Sequence, residues 1–194
     1  MIIIAHRINK LNLIKKIPKR FGVEIDLRSY KKKIILNHEP FKDGVELNNF
    51  LKFYKHQILI VNIKEAGIEN NVIQILKQSK IKNYFLLDVE QPFIWSSVEK
   101  KFKNIAIRFS ESEDIKNAKQ YIGKFKWIWI DTKTKFPVNK KNYKIINKFK
   151  SCLVCPERWG RPKDIIKYKK IIFKNSFNIS AVMTDSKYLN LWEK

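Results

Sequence analysis

The sequence predicts an α/β protein: a single (β/α)8 barrel spanning residues 1–194. Three observations predict it. Short apolar runs recur about every 20 to 30 residues in a strand-then-helix rhythm, which argues a parallel sheet. There are about eight such runs, the number a closed β/α barrel requires. Each run finishes in a polar or charged residue, and in a barrel such positions converge on the rim where active sites are built.

The first run, residues 2–5, is closed by His6 and Arg7. Little helical pattern follows before residue 23, so the first helix is expected to be short or missing. Residues 23–27 form the second run, and an extra extended segment over 31–37 carries His38 back towards the first strand. Apolar residues at 47, 50, 51 and 54 predict a helix over 45–54, with His56 capping its end. The third strand is 58–63, and apolar residues at 68, 72, 73 and 76 predict a helix over 68–81. The remaining strands are 84–89, 105–109, 127–130, 152–155 and 181–183. Ser110 and Glu113 read as a capping box opening a helix directly after its strand. Pro162, after Gly160 and Arg161, is expected in a first helical turn. A chain of 194 residues is lean for a fold that usually takes about 250, so several helices must be short.

Composition bounds the function. At 44% hydrophobic the chain can bury one good core. It has no apolar run near the roughly 20 residues of a membrane span. The opening run is too short for a signal-peptide core, so a cytoplasmic protein is expected. Net charge is +23, which points either to a polyanionic partner such as nucleic acid or to coding bias. Only six of the 41 basic residues are arginines, and the lysines are scattered, which favours coding bias. Arg7, Arg28, Arg108 and Arg158 lie at or just past strand ends, with Arg161 close behind, as bidentate anion contacts would require. Cys152 and Cys155 are three apart on a strand and face opposite sides, so they are expected as reduced core thiols. Trp127 and Trp129 are expected in the packing, whereas Trp159 sits in a rim loop.

Among the polar strand ends, Asp131 and Asp185 are expected to cap the helices that follow. Asp88 and Glu157 have Pro nearby rather than an obvious cap and are candidates for the site, as are Lys64, Arg108 and Arg161. The densest cluster lies in the first forty residues: His6, Glu24, Asp26 and His38. Glu24 and Asp26 are two apart on a strand, so both carboxylates point to one face, where they can clamp a divalent cation. Two imidazoles beside a carboxylate-held metal make an acid/base pair around a polarised phosphate.

Ala5-His6-Arg7, Glu24-Ile25-Asp26 and Asn37-His38-Glu39-Pro40 together resemble the signature of the glycerophosphodiester phosphodiesterases. Those enzymes, with their phosphatidylinositol phospholipase C relatives, carry His-Arg-Gly, Glu-x-Asp and His-Asp in this order on a TIM barrel. Ile8 stands where the family has Gly, Glu39 where it has Asp, and Asn62 where its Glu-x-Lys has Glu; Lys64 matches the Lys. The resemblance implies Mg²⁺ or Ca²⁺ held by Glu24, Asp26 and the carbonyl oxygen of Asn62, weakly because Asn62 brings no charge. It implies that His6 and His38 exchange the roles of base and acid, and that Arg7 neutralises the phosphate. A neighbouring substrate hydroxyl then attacks to give a cyclic phosphodiester. Arg108, Glu157 and Arg161 recognise the rest of a small anionic phosphodiester: a glycerophosphodiester, a lipid headgroup or a phosphate-linked glycan. One alternative keeps the barrel as a lyase, a transferase or a non-catalytic binder of a phosphorylated ligand. The other is a basic nucleic-acid-binding protein.

Overall fold

Apolar alternation through residues 22–27 gives the second strand one apolar face, with Glu24 and Asp26 on the other. In a computed structural model that describes residues 1–193, Gly22–Tyr30 forms strand β2, with Val23, Ile25 and Leu27 fully buried. The chain clusters into two compact units, one of residues 5–96, the other of residues 1–4 with the chain from Ser97 onward.

In the 5–96 unit, β2 pairs in parallel with β5 (Leu59–Ile63), and β5 with β6 (Tyr84–Leu87). The far half of β2 pairs antiparallel with β3 (Lys33–Leu36), which pairs with the two-residue β4 (Val45–Glu46). The extended segment expected over 31–37 is therefore the return arm of a hairpin. Its turn residues Lys31 and Lys32 have φ of 46° and 63°. The helix expected over 45–54 is shorter: Val45 and Glu46 join the β3 ladder, and only Leu47–Leu51 is helix α2. Gly44 permits this close return, since a Cβ there would lie 2.3 Å from the Leu36 carbonyl oxygen. Helix α1 (Leu11–Ile14) is a single turn, α3 covers Glu69–Gln78, and α4 (Gln91–Glu99) follows β6. His56 does not cap the Lys-rich helix. Its Nε2 lies 2.9 Å from the Ile17 carbonyl oxygen and ties two loops together.

In the other unit lie residues 2–4 of β1 (Ile2–Ala5), which starts with Ile2 N–H donating to the Ser180 carbonyl. β7 (Ala106–Phe109), β8 (Trp127–Ile130), β9 (Lys150–Val154) and β10 (Ala181–Thr184) pair successively in parallel. Helices α5 (Ile115–Lys119), α6 (Lys140–Ile146), α7 (Asp164–Lys174) and α8 (Leu189–Glu193) intervene or follow. Trp127 and Trp129 are buried packing, and Cys152 and Cys155 are buried and not joined in a disulfide. Ser110 does close a box with Glu113, but the box forms a turn: Asp114, accepting from Lys116 N–H at 2.8 Å, caps α5. The residues that box α6 are Asn139 and Asn142. Pro162 lies in the turn before α7 rather than inside it. Asp131 is ion-paired to Arg108 rather than capping, and Asp185 makes no side-chain cap bond to the short 3-10 turn after it. No helix among the described residues is long and apolar enough to cross a membrane.

Candidate active site

The parallel register of β2 and β5 sets Asp26 beside Asn62 and Glu24 beside Ile60. Glu24, Asp26 and Asn62 then share one face, and all three are buried, Glu24 and Asp26 at 1% exposure. Asn62 Nδ2 donates to Glu24 Oε1 at 3.0 Å, and the Arg7 backbone N–H donates to Glu24 Oε2 at 2.7 Å. His6, itself almost buried, brings Nε2 to 4.0 Å from the same Oε2. Arg7 adopts φ of 54°, an uncommon region for a side-chain-bearing residue, and there aims its N–H at Glu24. Its guanidinium Nε lies 3.9 Å from Asp26 Oδ2. Lys64, two residues past Asn62, reaches 3.6 Å from Asp26 Oδ1 and 3.4 Å from Asp88 Oδ2. Asp88 also has positive φ, 58°, just past β6.

Asn9 is the residue sequence reading missed. Its Nδ2 donates to Asp26 Oδ2 at 2.8 Å, and its Oδ1 accepts from the Asp26 N–H at 2.9 Å. This two-point grip fixes Asp26, and a loop asparagine outside any motif carries no sequence signal for it. The β2–β3 hairpin carries His38. Asn37 N–H donates to the Asp26 carbonyl at 3.1 Å, and Asn37 also steadies the following loop through Glu39 N–H and the Asp43 carbonyl. His38 Nδ1 lies 2.7 Å from Glu39 Oε1, so Glu39 orients the ring and leaves Nε2 free of that contact. The bond to His38 holds the Glu39 carboxyl below its usual range.

Burial, followed by the neighbouring Asp26 charge, pushes the Glu24 carboxyl up to about 7. Two adjacent buried acids are costly unless compensated, and Lys64 and Arg7 are the cations beside them. Asp26 Oδ1 and Asn62 Oδ1 are buried with no hydrogen-bond partner. Hard oxygens beside Glu24 that accept no hydrogen bond are of the type that suits Mg²⁺ or Ca²⁺. Among the described residues no trio of His, Cys, Asp and Glu is arranged to hold a metal.

The other residues read as anion contacts have protein partners. Arg28 spends its guanidinium on the backbone carbonyls of His38 (3.0 Å) and Lys64 (2.7 Å), bracing the site rather than binding substrate. Arg108, Glu157 and Arg161 belong to the second unit. Arg108 pairs with Asp131 and, at 3.6 Å, Glu113. Glu157 accepts from Thr184 Oγ1 at 2.5 Å and Asp185 N–H at 3.1 Å, and burial raises its carboxyl pKa. Arg161 donates to Asp164 at 2.6 Å, to Tyr168 at 2.9 Å and to the Thr132 carbonyl.

Among solved structures, the chain is similar to a protein assigned as a glycerophosphoryl diester phosphodiesterase from Agrobacterium tumefaciens. The TM-score is 0.73 at 11% identity over 99% of this chain and 96% of that one. It is also similar to a glycerophosphoryl diester phosphodiesterase from Parabacteroides distasonis, with a TM-score of 0.62 at 11% identity over 94% and 81% of the respective chains. The likeness shows the fold, the β/α-barrel fold of these proteins. No family model and no curated protein matches the sequence.

Proposed function

We propose that the chain is a metal-dependent phosphodiesterase acting on a glycerophosphodiester or a related phosphate-linked headgroup. The observation that carries this reading is the buried Glu24–Asp26 pair with oxygens on Asp26 and Asn62 that accept no hydrogen bond, bounded by His6, Arg7 and Lys64. A shared fold with glycerophosphoryl diester phosphodiesterases supports it. Glu24, Asp26 and the Asn62 amide oxygen would hold Mg²⁺ or Ca²⁺, which when bound supplies positive charge to the phosphate.

Arg7 and Lys64 bind the non-bridging phosphate oxygens, with Asp88 positioning Lys64. One imidazole of the His6/His38 pair takes the proton of a neighbouring substrate hydroxyl as its oxygen attacks phosphorus. The bond from phosphorus to the leaving alcohol breaks, and the other imidazole protonates that alcohol. Water opens the resulting cyclic phosphodiester with the two roles exchanged. Glu39 orients the His38 ring through its contact with Nδ1. The substrate class suits a cytoplasmic setting and a role in lipid metabolism.

One observation favours a second reading. Lys64 already sets an ammonium beside Asp26, and Asn62 is neutral. That arrangement suits a phospho-ligand binder, or an enzyme that stops at the cyclic product. Turnover of glycerophosphodiesters with and without chelator separates the two. We expect His6→Ala and His38→Ala each to lower the rate by about 10²–10⁴-fold. The double variant should be far less than multiplicatively worse, because the pair acts as a unit. Absence of turnover with either cation, or full turnover by Glu24→Gln, overturns the phosphodiesterase reading.

A further inference from the structure

Helix α7 (Asp164–Lys174) presents two unlike faces. Ile165 and Tyr168 are buried in its unit, whereas Lys163, Lys167, Lys170 and Lys174 are exposed and line a surface groove of about 680 Å³. With about 3.6 residues per turn, positions 163, 167, 170 and 174 fall in one row, roughly 16 Å long. Lysines that look scattered along the chain are here gathered by a helix. Asp164, the acidic residue of α7, is engaged by Arg161 at 2.6 Å. Lys169, off the row, donates to the Leu191 carbonyl at 2.8 Å. Like charges three and four residues apart on a helix repel one another, and a bound anion relieves that repulsion.

Apolar side chains flank the row. Ile166 and Phe173 lie two turns apart on one side of it, 49% and 88% exposed. Ile171, half-buried, lines the groove on the other side. A merely solvated face gains nothing from a phenyl ring held in water. Duplex nucleic acid would satisfy the lysines through its phosphates but would leave Ile166 and Phe173 wet. The surface of an anionic bilayer meets both needs. It offers lipid phosphates to the ammonium groups and, just beneath, hydrocarbon to the apolar side chains. The methylene stem of each lysine can lie along that apolar layer while its ammonium stays among the phosphates.

We propose that the outer face of α7 docks on an anionic phospholipid membrane. The lysine row sits at the level of the phosphates, with Ile166 and Phe173 inserted at the boundary between headgroups and acyl chains. At 11 residues the helix lies on the membrane and does not span it. The docking face belongs to a different unit from Glu24 and Asp26, and it stands whether or not those residues serve a phosphodiesterase.

The test is co-sedimentation of the whole chain with vesicles of phosphatidylcholine alone, or of phosphatidylcholine with about 30% phosphatidylserine. A net charge of +23 alone draws the chain to anionic lipid, so two variants of equal charge are compared. One combines Lys163→Gln, Lys167→Gln, Lys170→Gln and Lys174→Gln. The control combines Lys100→Gln, Lys101→Gln, Lys116→Gln and Lys119→Gln, all exposed positions outside α7. Wild type should bind the anionic vesicles and not phosphatidylcholine alone. A lysine near such a surface strengthens binding by about fivefold, so the α7 variant should lose on the order of 10²-fold in affinity and the control far less. Phe173→Ser, at an exposed position that leaves the fold intact, should weaken vesicle binding by about tenfold without changing binding to duplex DNA. Equal losses in the two lysine variants would mean that net charge alone drives binding, and would overturn the proposal. Tighter binding to duplex DNA than to vesicles, with Phe173→Ser affecting neither, would make the row a nucleic-acid contact and overturn it as well.

Discussion

Glu24 and Asp26 sit side by side in the core, each 1% exposed. Buried like charges oppose folding, so the site is held at the expense of stability. Glu24→Gln should therefore unfold at a higher urea midpoint than wild type in the presence of chelator, by roughly 1–3 kcal/mol. The amide keeps an acceptor for the Arg7 N–H, and Asn62 can turn its unpartnered Oδ1 to accept from the new NH₂. The same variant should be inactive. A lower midpoint would mean that Glu24 is compensated by its present neighbours and that the adjacent acids are not a strained pair. His56 gives a separate test. Burial above all holds its pKa below the usual 6.5, with the Ile17 carbonyl acting against the shift and the nearby Lys19 adding to it. The folded chain thus prefers neutral imidazole. That contribution to stability is present above pH 6.5 and is lost as pH falls towards the folded pKa. Wild type should lose more stability than His56→Gln between about pH 7.5 and about pH 5.5. Identical losses would show that His56 titrates alike folded and unfolded.

At the scale of elements, the sequence was legible wherever an apolar run stood alone. It was misleading wherever a tertiary partner decided the outcome. Residues 127–130 are β8, and Glu24 and Asp26 share a face because strand alternation demands it. The spacing of 47, 50 and 51 is helical, as α2 shows, but Val45 and Glu46 are captured by β3 through the close approach at Gly44. The Ser110 box satisfies its own turn, leaving α5 to Asp114. Arg28 has the residue type and strand-end position of an anion ligand, yet its partners are carbonyls of two loops that no local pattern brings together. Asn9 was illegible for the same reason. The β2–β3 hairpin turns on Lys31 and Lys32, both with positive φ, where a two-residue hairpin favours Asn-Gly. Replacing the pair by Asn-Gly should stabilise the protein by roughly 1 kcal/mol, since the left-handed backbone then carries no Cβ penalty at the second position. Activity should be unchanged, because the turn lies at the hairpin end away from His38. A destabilised variant would show that the lysine side chains themselves support the turn, for example Lys31 over the Tyr30 ring at 5.2 Å.

For the molecule as a whole, charge is the property that neither fold nor site explains. The chain carries 41 basic residues against 18 acidic ones. The carboxylates within hydrogen-bond or ion-pair reach of the candidate site are few, and most lysines stand outward, as the row Lys163, Lys167, Lys170 and Lys174 does on α7. A net charge of +23 repels itself more in the compact state than in the expanded one, so the folded chain is destabilised at low ionic strength. Salt shortens the reach of that repulsion to about 10 Å at 0.1 M and about 3 Å at 1 M. The prediction is a melting temperature that rises with NaCl, by roughly 2–6 °C between low salt and about 0.5 M, which for a chain of this size corresponds to about 1–2 kcal/mol. Sodium chloride is the right probe, because sulfate and phosphate would also occupy an anion site and strengthen apolar burial. A variant with Lys163, Lys167, Lys170 and Lys174 changed to Gln should melt higher at low salt and respond less to NaCl. A flat response in wild type would mean that the lysines are locally neutralised. A melting temperature that falls with salt would mean that attractive ion pairs such as Lys64–Asp26, and not self-repulsion, dominate the electrostatics of the fold.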